Sequence, residues 1–320
     1  MALNKPIRQH TVTKNILLRF CNENGLFWVF DRKNNEYREQ NPDDTTVVKN
    51  FYTFKTVIGE KSYELESIFC KVIEERLPLI ISKLEMSEPI NDEEKEILAT
   101  FAALQKQKTT ASRSDYIEMM KDANLSIAKM IFENKKFAKN SIEKFNALRK
   151  ASETKITISP EELKEFVDAL GRDNIEIPKE NHIKMMLEMV PFISMVFLQL
   201  DWVFLKAPYN SSFVISDNPF SLVGKSHNGF GGIGLITPGA EKTLPLSPKI
   251  CLMMLDKGNN VWGHEIDRKT VRSINCRTAL NCDRYLISKD KEWLERLVNI
   301  TKIDKFQRKP QMIVRTPFNR

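Results

Sequence analysis

Ser211-Ser212-Phe213-Val214-Ile215-Ser216-Asp217-Asn218-Pro219-Phe220 is the stretch on which the reading of this chain turns. A short apolar run ends in an acid, an amide and a proline. Val and Ile are stiff at χ1 and favour strands. Pro219 holds Asn218 in an extended conformation. The reading is a short buried strand over Phe213 to Ile215, with the Asp217 carboxylate at its mouth. A carboxylate there is held by a rigid element yet reachable, which suits a general base, a metal ligand or a substrate clamp. The competing reading is an Asp-Asn-Pro turn in which Asp217 bonds its own backbone. Ser216 can hydrogen-bond either neighbour, and it lacks the G-x-S-x-G setting of a nucleophilic serine.

Upstream of this stretch the sequence is helical. From Tyr63, apolar residues recur at three and four: Leu65, Ile68, Phe69, Val72, Ile73 and Leu77. Pro78 is expected to kink or divide that helix. Asn91 followed by Glu94 predicts a capped helix start, with Ile97, Leu98, Phe101 and Leu104 on its apolar face. A further helical region spans 114–149. Ser159-Pro160-Glu161-Glu162 is a second capping box, and Gly171 lies just past that helix's end. A long apolar helix is expected from Lys184 to Leu205, bent near Pro191. Glu188 and Asp201 interrupt its apolar run, so burial explains it better than a membrane span.

Downstream the period shortens. Ile250 to Leu255 and Tyr285 to Ile287 read as strands, with a rigid Leu244-Pro245-Leu246-Ser247-Pro248 segment before the first of them. Helices are expected over 271–280 and 289–300. The first 60 residues carry a helix-like Lys14 to Phe20 and a hairpin with Leu26 to Phe30 as one arm and Tyr37 opening the other. The expected fold is α+β, a predominantly helical middle packed with short antiparallel β elements from the N-terminal and C-terminal parts. Residues 1–300 form one domain, and 301–320 a basic tail.

The composition is that of a globular protein: 42% hydrophobic and 28% charged residues. Five scattered cysteines (Cys21, Cys70, Cys251, Cys276, Cys282) without a C-x-x-C pair point to reduced thiols and a cytoplasmic setting rather than to zinc. The first residues show no apolar run of signal-peptide length. The net charge of +7 is a reason to consider RNA, DNA or an acidic protein partner.

Gln9-His10 followed by Leu17-Leu18-Arg19-Phe20 resembles the opening of the DUF4238 family, a domain of unknown function. The likeness continues through Asn50-Phe51-Tyr52, Glu66 and Glu74, then Phe101, Leu104 and Gln105 of a helical F-x-x-x-Q element. Lys108 occupies the position where that family often has a downstream arginine, with Arg113 further along, a departure that weakens any role for a specific guanidinium. Trp202, Ser216-Asp217-Asn218-Pro219 and Leu244-Pro245-Leu246-Ser247-Pro248 complete it, over roughly residues 8–290. The resemblance brings no established activity.

Chemistry-bearing residues follow that order. His10 can serve as acid, base or ligand near neutral pH, with Gln9 to orient it. Glu66 and Glu74 advance about 800° on a helix and lie about 12 Å apart on similar sides, too far to share one metal directly. Either could join His10 and Asp217. Gln105, Lys108 and Arg113 are candidates to line the same cleft. Gly224-Lys225-Ser226 is not a phosphate loop, because Pro219 occupies the first glycine position of that motif. The leading expectation is a metal-dependent phosphodiester hydrolase, a nuclease acting on RNA or DNA. His10, Asp217, Asn218, Glu66 and Gln105 would be catalytic, with Asp217, Glu66 and His10 holding Mg²⁺ or Mn²⁺. The alternative is a non-catalytic interaction or regulatory protein with a basic surface, in which the motif residues maintain a buried polar network.

Overall fold

Strand β1 (Arg8–His10) leads into a single helical turn, α1 (Lys14–Leu17), which tightens over Leu18–Phe20. Strands β2 (Phe27–Asp31) and β3 (Glu36–Gln40) then form the expected hairpin, with Phe30 opposite Tyr37. Asn35 supplies the positive φ, 51°, in the connection, a region in which asparagine is better tolerated than most residues. β4 (Val47–Lys49) returns to pair with β1, and β5 (Phe54–Lys55) pairs with β6 (Lys61–Ser62). The computed structural model describes residues 7–55, 61–62, 75–148, 157–225, 233–256 and 263–308.

The helical middle follows its caps. α2 (Leu77–Glu85) has Pro78 in its first turn, where the missing N–H costs nothing, so this proline begins a helix. The helix expected over the preceding residues lies outside the described ones. α3 (Asp92–Gln107) opens on the predicted box, Asn91 and Glu94 each bonding the other's backbone N–H. The single helical region expected over 114–149 is two helices, α4 (Thr110–Glu133) and α5 (Lys135–Leu148). They divide at Asn134, whose Oδ1 accepts the N–H groups of Lys136 and Phe137. α6 (Pro160–Ala169) starts at the Ser159–Glu162 box. Gly171, just past its end, is extended with φ −73° rather than left-handed.

α7 (Lys179–Leu198) contains Pro191 and packs along α3. It is also long and apolar enough, by length and composition, to cross a membrane. It ends seven residues before the expected Leu205, because Asp201–Lys206 is strand β7. Trp202, Val203, Phe204 and Leu205 are all buried. A run buried on both faces is satisfied by the middle of a sheet, which a one-sided helix cannot offer.

The remaining elements are β8 (Ile215–Ser216), β9 (Ser221–Val223), β10 (Glu241–Pro245), β11 (Ile250–Leu255), β12 (His264–Glu265), α8 (Arg268–Asn281), β13 (Tyr285–Ser288) and α9 (Lys291–Thr301). One sheet has the order β12-β7-β11-β10-β9, the other β3-β2-β13-β8. Pairing is antiparallel, as expected, except where β12 joins β7 in parallel. The architecture is α+β. Phe20, Phe101, Phe197, Phe220, Leu252 and Ile287 share one apolar cluster, which ties the helical middle to both sheets. Full burial of each such side chain is worth about 1.5–3 kcal/mol.

One topological fact positions the candidate site. β8 belongs to the four-stranded sheet and β9 to the five-stranded sheet. Asp217-Asn218-Pro219-Phe220 is therefore the crossing between them.

Candidate functional site

Asp217 has left the sheet ladder by one residue, and its backbone N–H still donates to the Tyr285 carbonyl at 2.9 Å. Its carboxylate turns to the start of β13. Oδ1 accepts the Asp283 N–H at 2.9 Å, and Oδ2 accepts those of Arg284 and Tyr285 at 2.7 and 3.1 Å. The residue is 3% exposed. Burial pushes its carboxyl up to about 6, helped by the nearby Asp283, while the three N–H groups oppose the rise. The adjacent Cys282 thiol is buried and pushed well up, first by burial and then by Asp217.

Asn218 is held on every side. Its Oδ1 accepts from Thr109 Oγ1 at 3.1 Å, and its Nδ2 donates to the Asn281 carbonyl at 3.0 Å. Asn281 Nδ2 donates in return to the carbonyls of Asn218 and Phe220. Ser216 Oγ accepts the Asn218 N–H at 3.2 Å. Earlier in α8, Asn275 Oδ1 accepts the Val214 N–H and Asn275 Nδ2 donates to the Ser212 carbonyl. One helix thus carries two amides that hold the whole Ser212–Phe220 backbone against it.

Thr109 links this lock to the other motif residues. It caps α4, accepting the Ser112 N–H, and follows Lys108, whose carbonyl accepts from Tyr52 Oη at 2.8 Å. The Tyr52 N–H donates to Gln9 Oε1 at 2.6 Å. Gln105 Oε1 accepts the Thr13 N–H at 3.2 Å, while its Nε2 donates to the Thr11 carbonyl at 3.0 Å. Gln9, Tyr52, Gln105, Lys108, Asp217 and Asn218 are all buried. Gln105, Lys108, Asp217 and Asn218 therefore belong, with Gln9 and Tyr52, to neighbouring parts of one polar network that joins the N-terminal strands, the α3–α4 junction and the sheet crossing.

The His10 carbonyl accepts from Tyr52 Oη at 3.4 Å, while its imidazole turns toward residue 42. Half-buried, it places Nε2 3.1 Å from the Pro42 carbonyl. Glu66 and Glu74 lie outside the described residues. Among the described residues no group of three or more His, Cys, Asp or Glu side chains is arranged to hold a metal.

Arg113, a cleft-lining candidate from the sequence, is held against Phe51 and His182, while the roles of His182, Arg308 and Asp31 escape a reading of the sequence. Arg113 lies 3.4 Å over the Phe51 ring and donates to the Phe51 carbonyl and to His182 Nδ1. Burial lowers Arg113 to about 10, and burial with the Arg113 charge lowers the His182 imidazole to about 3. Arg308 grips Asp115 with two nitrogens and lies 3.6 Å from Asp283. The described part of the basic C-terminal segment, 301–308, is thus anchored through Arg308 and through the buried Ile303. Asp31 holds both Arg284 and Arg38. Burial alone would raise its carboxyl, but the two guanidinium groups outweigh that and lower it. The polar run Asn281-Cys282-Asp283-Arg284 ahead of an apolar strand is the visible signal for this half of the network.

The surface cleft is elsewhere. A depression of about 1200 Å³ lies at the other end of the Ser211–Phe220 stretch, lined by Tyr209 to Ser212, Lys249, Lys289 and Trp293 among others.

Fold and site define an α+β protein whose motif residues build a hydrogen-bonded junction between two sheets. The chain belongs to the family described as Protein of unknown function (DUF4238), whose model matches residues 8–292. No curated protein and no solved structure matches the chain.

Proposed function

We propose that this protein is a non-catalytic binding protein that engages a polyanionic partner through its basic surface. One observation carries the reading: the two Asp217 oxygens accept three backbone N–H groups from residues 283–285. An ionised carboxylate offers about four acceptor positions, so three of them already serve the fold. Asn218 and Gln105 are likewise occupied by backbone groups. Removing either side chain strands buried donors and acceptors, which gives these motif residues a structural purpose. The metal-dependent nuclease expectation needs Asp217 to face a metal or a water, and the reading assigns Mg²⁺ or Mn²⁺ no catalytic place there. The net charge of +7 supports an anionic partner.

The test is labelled RNA and DNA incubated with the full chain, with and without Mn²⁺. Retention without cleavage is expected. Cleavage lost in Asp217→Asn while the thermal unfolding midpoint stays at the wild-type value would overturn the reading.

A further inference from the structure

Five cations cluster on one side of the molecule with no carboxylate within ion-pair distance among the described residues. Lys249 and Lys289 line the 1200 Å³ cleft, Lys269 and Arg272 line a neighbouring groove of about 540 Å³, and Arg268 lines both. All five are exposed. The cleft continues into the groove, since Trp293 and Arg296 also border both.

The acids nearby are largely committed. Glu85 pairs with Arg19 at 3.0 Å, and Glu292 with Arg296 at 2.9 Å. Asp290 caps α9 and Asp267 caps α8, each accepting a backbone N–H. Glu265 remains in the cleft, and no acid lines the groove. The surplus charge therefore follows a path from Lys249 past Arg268 to Arg272. Exposed like charges repel, and an anionic ligand is what relieves that repulsion.

Two aromatic rings border the same path. Tyr209 is 100% exposed at the cleft, and half-buried Trp293 lies where cleft meets groove. A cationic track with aromatic platforms is how proteins hold unpaired nucleic acid: lysine and arginine follow the phosphates while bases stack on the rings. An acidic peptide would match the charge but give the two rings no comparable role.

We infer that the Lys249–Arg268–Arg272 track, with Tyr209 and Trp293, is a binding site for single-stranded nucleic acid. The inference rests on the binding-protein reading above and gives that reading a location and a ligand class.

The experiment is fluorescence anisotropy of the full chain with labelled oligo-uridine and oligo-thymidine of about 12 nucleotides, within the usual span of such sites. Variants are Arg268→Glu/Arg272→Glu and Tyr209→Ala. All three positions are exposed, and circular dichroism with thermal melts verifies folding. Binding by the wild type should weaken with salt, with a log–log slope of about −0.7 per phosphate contact. The double variant should weaken binding by at least about tenfold and flatten that slope. Tyr209→Ala should weaken it about tenfold at constant slope.

Wild-type affinity in both variants would overturn the site while leaving the binding-protein reading intact. Poly-glutamate bound through the same residues, with no oligonucleotide binding, would replace nucleic acid by an acidic peptide and also leave that reading standing. No binding of either polymer overturns the site. Cleavage of the oligonucleotides would instead strike at the non-catalytic reading.

Discussion

Asn218 and Asn281 hold each other's backbone: each side-chain Nδ2 donates to the other residue's carbonyl, at 3.0 and 2.8 Å. The two residues are 63 positions apart in the chain. Their reciprocal pair fastens the crossing between the sheets to the C-terminal end of α8. Replacing Asn281 with Ala leaves the Asn218 and Phe220 carbonyls without this donor. A loss of about 2–3 kcal/mol is expected in urea unfolding. A cycle with Asn218→Ala should show a coupling of about 1 kcal/mol or more, because the two share a network. Strict additivity would argue against the reciprocal pair.

Asp217→Asn should destabilise without affecting oligonucleotide affinity. An amide can keep one oxygen on the residue 283–285 backbone, but its NH₂ meets N–H groups that need an acceptor. The expected cost is about 2–4 kcal/mol, the penalty of one or two unsatisfied buried donors. Denaturation and anisotropy on the same preparation provide the check.

Arg308 and Asp115 form an ion pair with side chains only 7% and 5% exposed. Breaking such a pair by Arg308→Ala should cost about 3–5 kcal/mol, since it strands a buried charge. The double replacement Arg308→Met/Asp115→Leu should recover much of that loss. Equal losses in the single and double variants would contradict the pairing argument.

Acid stability carries two opposed contributions. His182 is lowered to about 3 from an ordinary 6.5. Its contribution is present above 6.5 and is lost as pH falls toward 3. Asp217 is raised to about 6 from 3.8. Its contribution is full below 3.8 and is lost as pH rises through 6. A tenfold change in acidity is worth about 1.4 kcal/mol. The two slopes cancel between about pH 6 and 3.8, so the larger His182 contribution should show as a fall in stability from 6.5 to 6 and again from 3.8 toward 3. His182→Gln, which keeps an acceptor for Arg113, should flatten that decline. An unchanged acid profile in this variant would remove His182 from the account.

The capped helices are legible in the sequence because a cap is a local event. Asn91 with Glu94, and Ser159 with Glu162, require only three residues' separation, and both boxes form. The strand at Trp202–Leu205 is not legible, because continuous apolar runs fit a buried helix or a central strand equally well, and its partner lies near residue 250. Asp217 stands out in the sequence as a special carboxylate. Its use does not, since its three donors follow 66 to 68 residues later and are backbone groups that any sequence would supply. Arg308 is hidden for a similar reason: a basic residue in a basic segment carries no mark of the buried Asp115 it will meet.

The four-stranded sheet also has a consequence for biosynthesis. Its inner pair joins residues near 29 to residues near 287, and β8 at residue 215 waits for the same late strand. A ribosome must therefore deliver residues 285–288 before that sheet can close, with Arg308 the last described anchor to arrive. Until then the hairpin of residues 27–40 presents an unpaired edge, the kind of surface that other chains can pair with. Contacts of such sequence separation favour slow closure, and truncated chains lacking 285–308 should be recovered chiefly as aggregates.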